Sequence, residues 1–185
     1  MGKNFDIIGL LFLIIKLEVM ILQIKESSKN QKQYIIFYLA DKKFGVNINQ
    51  TKEILSNSEM TYVPESPDFI SGIINLRGSV VPVVDLKMRL NIKGEKKDKE
   101  EKIIIVELDG LTAGMMVDDV KEIKPLTKEN IVDLPDLAKK VDGDYIEGVG
   151  RADENKELLL LLDLKSVLNN REIEELKSVD TGIDG

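Results

Sequence analysis

A chain of 185 residues with 43% hydrophobic and 32% charged side chains has room for one domain or two small halves and the balance of a globular protein, which excludes wholesale disorder. Its net charge of −7, from 26 Lys and Arg against 33 Asp and Glu, supplies no overall positive field to gather phosphates and argues against a general nucleic-acid binder. Cysteine and histidine are both absent, which removes disulfides, thiol nucleophiles, zinc–thiolate sites, the commonest general acid–base and the commonest metal ligand.

The first predicted element is Ile7–Ile24, an almost continuous apolar run broken by Lys16 and Glu18. As a helix it would span about 27 Å, just short of a hydrocarbon core. A central Lys costs about 2.5–3.5 kcal/mol on insertion scales, and no A-x-A-like cleavage site follows, so direct membrane insertion is not expected. Three readings stay open: an extra helix packed on the protein or a partner, a membrane-associating segment, and a start placed too early, with Met20 as the alternative.

From Gln33 onward the pattern is β. Tyr34–Leu39 and Phe44–Ile48 read as strands turned by Asp41-Lys42-Lys43; Ile70–Leu76 and Val80–Val84 as a hairpin over Arg77-Gly78-Ser79. Ile103–Leu108 and Leu111–Val117 flank Asp109-Gly110, a strong hairpin signal. Tyr145–Arg151 and Leu158–Leu162 form the last pair, and Asp163–Asn169 and Glu172–Val179 look helical. The Lys- and Glu-rich run Lys93–Lys102 reads as a solvated linker.

A repeat organises these elements. Gly45-Val46-Asn47-Ile48 with Lys52-Glu53-Ile54 returns as Gly114-Met115-Met116-Val117 with Lys121-Glu122-Ile123. Ile70-Ser71-Gly72 then returns as Ile146-Glu147-Gly148, and Asp85-Leu86 as Asp163-Leu164. Each unit runs hairpin, short helical turn, Pro-containing connector, and hairpin ending in Asp-Leu plus a helix, with Glu53 and its repeat Glu122 on the short helical turns. Short strands in such a unit bury poorly as a flat sheet, and closing them into a small barrel removes the free edges. The expectation is a mainly β fold of two side-by-side five-stranded barrels with short helices. Proline positions 64, 67, 82, 125 and 135 belong at connectors or strand edges.

The string Ile70-Ser71-Gly72-Ile73-Ile74-Asn75-Leu76-Arg77-Gly78, followed by the Pro82 strand and Asp85-Leu86, closely resembles the CheW-like chemotaxis coupling family. Gly114-Met115-Met116-Val117-Asp118, Tyr145-Ile146-Glu147-Gly148 and Leu160-Leu161-Leu162-Asp163 resemble it too, so the likeness covers about Gln33–Leu168. It implies two SH3-like barrels, no catalysis and no cofactor. The implied partners are the cytoplasmic tips of methyl-accepting receptors and the regulatory domain of the histidine kinase CheA, at receptor arrays on the inner face of the membrane. The division expected is an extension over 1–32, a CheW-like domain over 33–179 and a tail over 180–185. Within that domain the barrels take about 33–92 and 103–168, with pieces able to swap, and a helix closes it.

The resemblance implicates Arg77 and Glu53 in partner contact, with Asn75 and Thr51 beside them. Spacing alone gives Arg77 and Asn75 a turn-forming role as readily, and Glu53, repeated as Glu122, would serve the shared fold equally well. Asp85 and Asp163 read as helix caps. Asp118-Asp119 and Asp142-Gly143-Asp144 lack calcium-loop spacing and read as acidic turns, with no metal. The alternatives from other classes are a small-ligand-binding or hydrolytic β-barrel, which needs two carboxylates side by side, and a membrane-tethered adaptor using Ile7–Ile24.

Overall fold

A computed structural model describes residues 31–56, 58–94, 101–132, 145–151 and 158–181. The expected apolar helix Ile7–Ile24, Met20, most of the Lys93–Lys102 linker, Pro135 and Asp142-Gly143-Asp144 lie outside the described residues.

Short runs of β-branched and other apolar residues, most of them buried on both faces, drive the strands. The first hairpin is β1 (Gln31–Leu39) and β2 (Lys42–Asn47), and β3 (Thr51–Ser56) follows a single 3-10 turn at Ile48–Gln50. Next come β4 (Ile70–Leu76), β5 (Ser79–Asp85) and the short helix α1 (Leu86–Arg89). The second half runs β6 (Lys102–Leu108), β7 (Leu111–Val117), β8 (Asp119–Thr127), β9 (Ile131–Val132), β10 (Ile146–Arg151), β11 (Leu158–Leu162) and helix α2 (Asn170–Thr181).

These strands form two sheets, ordered β8-β1-β2-β11-β10-β9 and β3-β6-β7-β5-β4. This is the mainly β, SH3-like class expected, with one sheet a strand longer through the two-residue β9. Each sheet borrows a hairpin: β1–β2 joins strands of the second half, and β6–β7 joins strands of the first. The borrowed hairpins enter through parallel pairs, β2 with β11 and β5 with β7. The repeated glycines explain themselves there. A Cβ on Gly45 would lie 2.9 Å from a methyl of Leu161 in the parallel partner, and one on Gly114 would lie 3.3 Å from Val83 in its parallel partner and 2.6 Å from Ile103 of β6, so a side chain at either would push on its packed neighbours.

Two-sided strands build three cores. Ile103 and Ile105 of β6 face a small core with Ile74, Val81, Val83 and Met116, while Tyr34 and Ile36 of β1 face another with Leu126, Leu159 and Leu161. The opposite faces of the same strands, Ile104 and Val106, Ile35 and Phe37, meet in one large shared core that also takes Ile173 and Leu176 of α2. Because period-2 alternation sends successive side chains to opposite faces, β1 and β6 are buried on both.

Several local expectations are corrected. Pro82 lies inside β5, between β4 and β7, and not at a connector or edge, its place being before the parallel pairing with β7 begins at Val83; Lys42 and Lys43 already belong to β2, so the first turn is Ala40-Asp41. Lys52-Glu53-Ile54 and Lys121-Glu122-Ile123 lie in strands β3 and β8, not on helical turns; pairing with β6 and β1 supplies their backbone partners and outweighs the weak local helix pattern. Asp163–Asn169 is a turn, not a helix. The Asp163 carboxylate there accepts from the Lys165 N–H at 3.1 Å and the Ser166 hydroxyl at 2.9 Å. The helix starts one step later through a reciprocal capping box: Asn169 accepts from the Glu172 N–H at 3.0 Å and Glu172 from the Asn169 N–H at 2.8 Å. The β4–β5 loop has two residues rather than three, since Leu76 pairs with Ser79. Asp85 caps α1 as read, accepting from the N–H groups of Lys87 and Met88.

Candidate functional site

The β4–β5 loop is Arg77-Gly78, with φ of 55° and 90°, and the β6–β7 loop is Asp109-Gly110, with 47° and 84°. Two successive positive φ values give the turn whose twist matches the flanking strands. Asn75 supports the first by accepting the Gly78 N–H at 2.8 Å. Arg77 and Gly78 of the first tip and Gly110 of the second, together with Lys52 and Glu53, border a cleft of about 590 Å³.

At its mouth Arg77 Nη2 donates to Glu53 Oε2 at 3.0 Å. The Arg77 side chain is 79% exposed and that of Glu53 29%, so the guanidinium keeps free donors facing outward while its carboxylate partner fixes its direction. An exposed pair of this kind contributes little to folding. Lys52 pairs with Glu107 of β6 alongside, and the Lys52 ammonium holds the Glu107 carboxyl below its usual range. Thr51 begins β3 and borders an adjoining cleft of about 440 Å³ with Lys52, Glu107, Asp109 and Lys165. Its hydroxyl oxygen is buried without a hydrogen-bond partner among the described residues.

Arg77 and Glu53 are therefore in contact. Asn75 acts on the backbone of the same turn, and Thr51 opens onto the neighbouring cleft. The sequence reading missed the part played by the Asp109-Gly110 tip and the Lys52–Glu107 pair, because no local pattern says that β3 runs beside β6.

It also missed a second groove. On the six-stranded sheet, Asp41, Lys42, Lys43, Phe44, Val149, Leu158 and Leu160 border about 400 Å³, and Leu158 is 67% exposed. The signal was available in the repeat: the offset relating Gly45 to Gly114 also lays Asp41-Lys42-Lys43 over Gly110-Leu111-Thr112. A third polar cluster lies deeper in the same sheet. The buried Tyr34 hydroxyl donates to Glu147 at 3.2 Å beside the Lys32 ammonium at 2.9 Å. Burial first, and the Glu147 charge second, push the Tyr34 phenol up to about 12.

No group of three or more acidic residues among the described residues could hold a metal ion. Asp118, read as part of an acidic turn, instead faces Lys87 and the Ala40 N–H. No helix among the described residues is long and apolar enough to cross a membrane.

Residues 33–172, which carry both hairpin tips and both grooves, match the family model of the CheW-like domain. The chain belongs to the CheW-like family. Among its curated relatives, the chemotaxis protein CheW of Klebsiella aerogenes is 30% identical over 77% of this chain and 84% of its own length. The chemotaxis protein CheW of Bacillus subtilis is 31% identical over 76% of this chain and 89% of its own. A crystal structure of the scaffolding protein TtCheW from Thermoanaerobacter tengcongensis superposes with a TM-score of 0.65 at 35% identity, covering 75% of this chain and 88% of that one. Within this CheW-like domain, the Arg77–Glu53 pair and the Phe44–Leu158 groove occupy corresponding places on the two sheets.

Proposed function

We propose that this chain is a chemotaxis scaffold that couples the cytoplasmic tips of methyl-accepting receptors to the regulatory domain of the histidine kinase CheA. It acts by binding alone, in the cytoplasm at receptor arrays. The observation that carries this reading is the exposed Arg77 guanidinium, aimed by Glu53 at the mouth of a cleft in a CheW-like domain.

Binding without catalysis suits the chemistry of that cleft. Glu53 and Glu107 each face a cation, Arg77 and Lys52, so they are not set as the adjacent carboxylates a hydrolytic barrel would use. A rigid scaffold with two grooves can hold two partners at once and raise the effective concentration of each for the other. It alters kinase output only by binding active and inactive assemblies with different free energies.

A pull-down of the full chain against a purified CheA regulatory domain and a receptor-tip fragment tests the proposal. Retention of both partners, with weaker retention by Arg77→Ala of unchanged circular dichroism, is the expected result; retention of neither contradicts it.

A further inference from the structure

Where the chain leaves the five-stranded sheet for the six-stranded one, between β7 and β8, it places Asp118. Its carboxylate is almost fully buried, with the side chain 6% exposed, and meets two neighbours, while the Asp118 backbone meets a third. One carboxylate oxygen accepts from the Lys87 ammonium of α1, itself only 13% exposed. The other accepts from the Ala40 N–H at the β1–β2 turn. The Asp118 N–H donates to the Tyr38 carbonyl at 3.0 Å.

Ala40 is an unusual residue to find in that turn. Its φ is 57°, a left-handed conformation that alanine adopts reluctantly because of its Cβ, and it is 2% exposed. Such a residue persists where its surroundings over-determine it. Here the surroundings are the Asp118 carboxylate on the N–H and Gly94 on the side chain; a Cβ on Gly94 would lie 2.2 Å from that of Ala40. The strand leaving the turn, Lys42 to Phe44, is one wall of the apolar groove completed by Val149, Leu158 and Leu160.

We propose that Asp118 is a positioning residue: it ties α1 to the β1–β2 turn and, through that turn, sets the wall of the Phe44–Leu158 groove. A buried carboxylate that loses the cation facing it takes up a proton or moves toward solvent or another donor, and either change weakens its hold on the Ala40 N–H, so a change at α1 is passed to a turn in the other sheet. The joint needs no partner to operate.

Backbone amide shifts and hydrogen exchange in the full chain test this, comparing wild type with Lys87→Met, Asp118→Asn, Ala40→Gly and the Asp118→Asn/Ala40→Gly double variant. Lys87 makes no hydrogen bond to the turn or the groove among the described residues and meets the turn only across the Asp118 carboxylate, yet amides from Lys42 to Phe44 and from Leu158 to Leu160 should shift. In Asp118→Asn one neutral oxygen replaces two charged ones, and the Ala40 amide should exchange about tenfold faster, the difference between a hydrogen bond to a charged acceptor and one to a neutral acceptor. Ala40→Gly, free of the left-handed penalty, should shrink the drop in melting temperature caused by Asp118→Asn. Changes confined to α1 in Lys87→Met would overturn the proposal, as would an equal drop in the Ala and Gly backgrounds. Should Asp118→Asn not fold, Lys87→Met alone decides by the same amides.

Discussion

The two grooves of this molecule are built on corresponding hairpins and filled with opposite chemistry. On the five-stranded sheet the walls carry Lys52, Glu53 and Arg77; on the six-stranded sheet the same frame carries Phe44, Val149, Leu158 and Leu160. The repeated glycines, the parallel pairs and the shared core hold the frame in both halves, so they constrain sequence in both. The groove floors belong to that frame, since Phe44 lies in the shared core and Ile105 and Val81 in a smaller one, and the two grooves differ at their rims. A polar mouth steers and orients a partner, whereas an apolar one gains from burial.

Removing what the halves share should have the largest effect. Phe37 is fully buried in the common core and stacks on Phe44 with ring centroids 5.9 Å apart. Phe37→Ala should lower stability by about 3–5 kcal/mol, measured by urea unfolding, and both sheets should melt together. Two transitions would show that the halves are less joined than their core implies.

Matched glycines should separate the halves. Gly72 has φ of 152°, and a Cβ there would lie 2.4 Å from the Thr61 carbonyl; at the corresponding Gly148 the nearest atom would be 3.1 Å away. Gly72→Ala should therefore cost roughly 1–3 kcal/mol, and Gly148→Ala clearly less. Equal losses would mean that the connector carrying Thr61 yields.

Tyr34 gives the six-stranded half an alkaline contribution to stability. The Tyr34 phenol is raised from 10.0 to about 12, so the folded state holds its proton more tightly than the unfolded state does. Stability from this group is complete below the unfolded value and is lost as pH rises through about 10 to about 12. Unfolding midpoints across that window should fall in wild type and fall less in Tyr34→Phe.

Arg77→Ala should do least to the fold. The pair is exposed, and its loss should change stability by less than about 1 kcal/mol. A much larger drop in thermal melting would give Arg77 a structural role in place of the outward one.

The β-hairpins, the Asp85 cap and the duplication were legible because each rests on local chemistry: turn residues, alternation, a carboxylate before a helix; Asp163 offers the same carboxylate but closes a turn with no helix after it. Strand β8 was not, since Lys121, Glu122, Ile123 and Pro125 are all exposed and leave no alternation to read. Glu53 was placed on a turn rather than a strand for a related reason: a three-residue match carries no period. Arg77 and Glu53 could each be picked out, but their contact is a product of barrel curvature that brings a β4–β5 tip to β3. The role of Asp118 was hidden more deeply, because its partners Lys87 and Ala40 come from distant stretches of sequence.

Sedimentation velocity on the full chain mixed with a CheA regulatory domain and a receptor-tip fragment puts the coupling claim at greatest risk. A three-component species with wild type, and at least about tenfold weaker assembly with an Arg77→Asp variant that melts normally, is the predicted result. Separate boundaries for all three components with wild type, or unchanged assembly with Arg77→Asp, would contradict it.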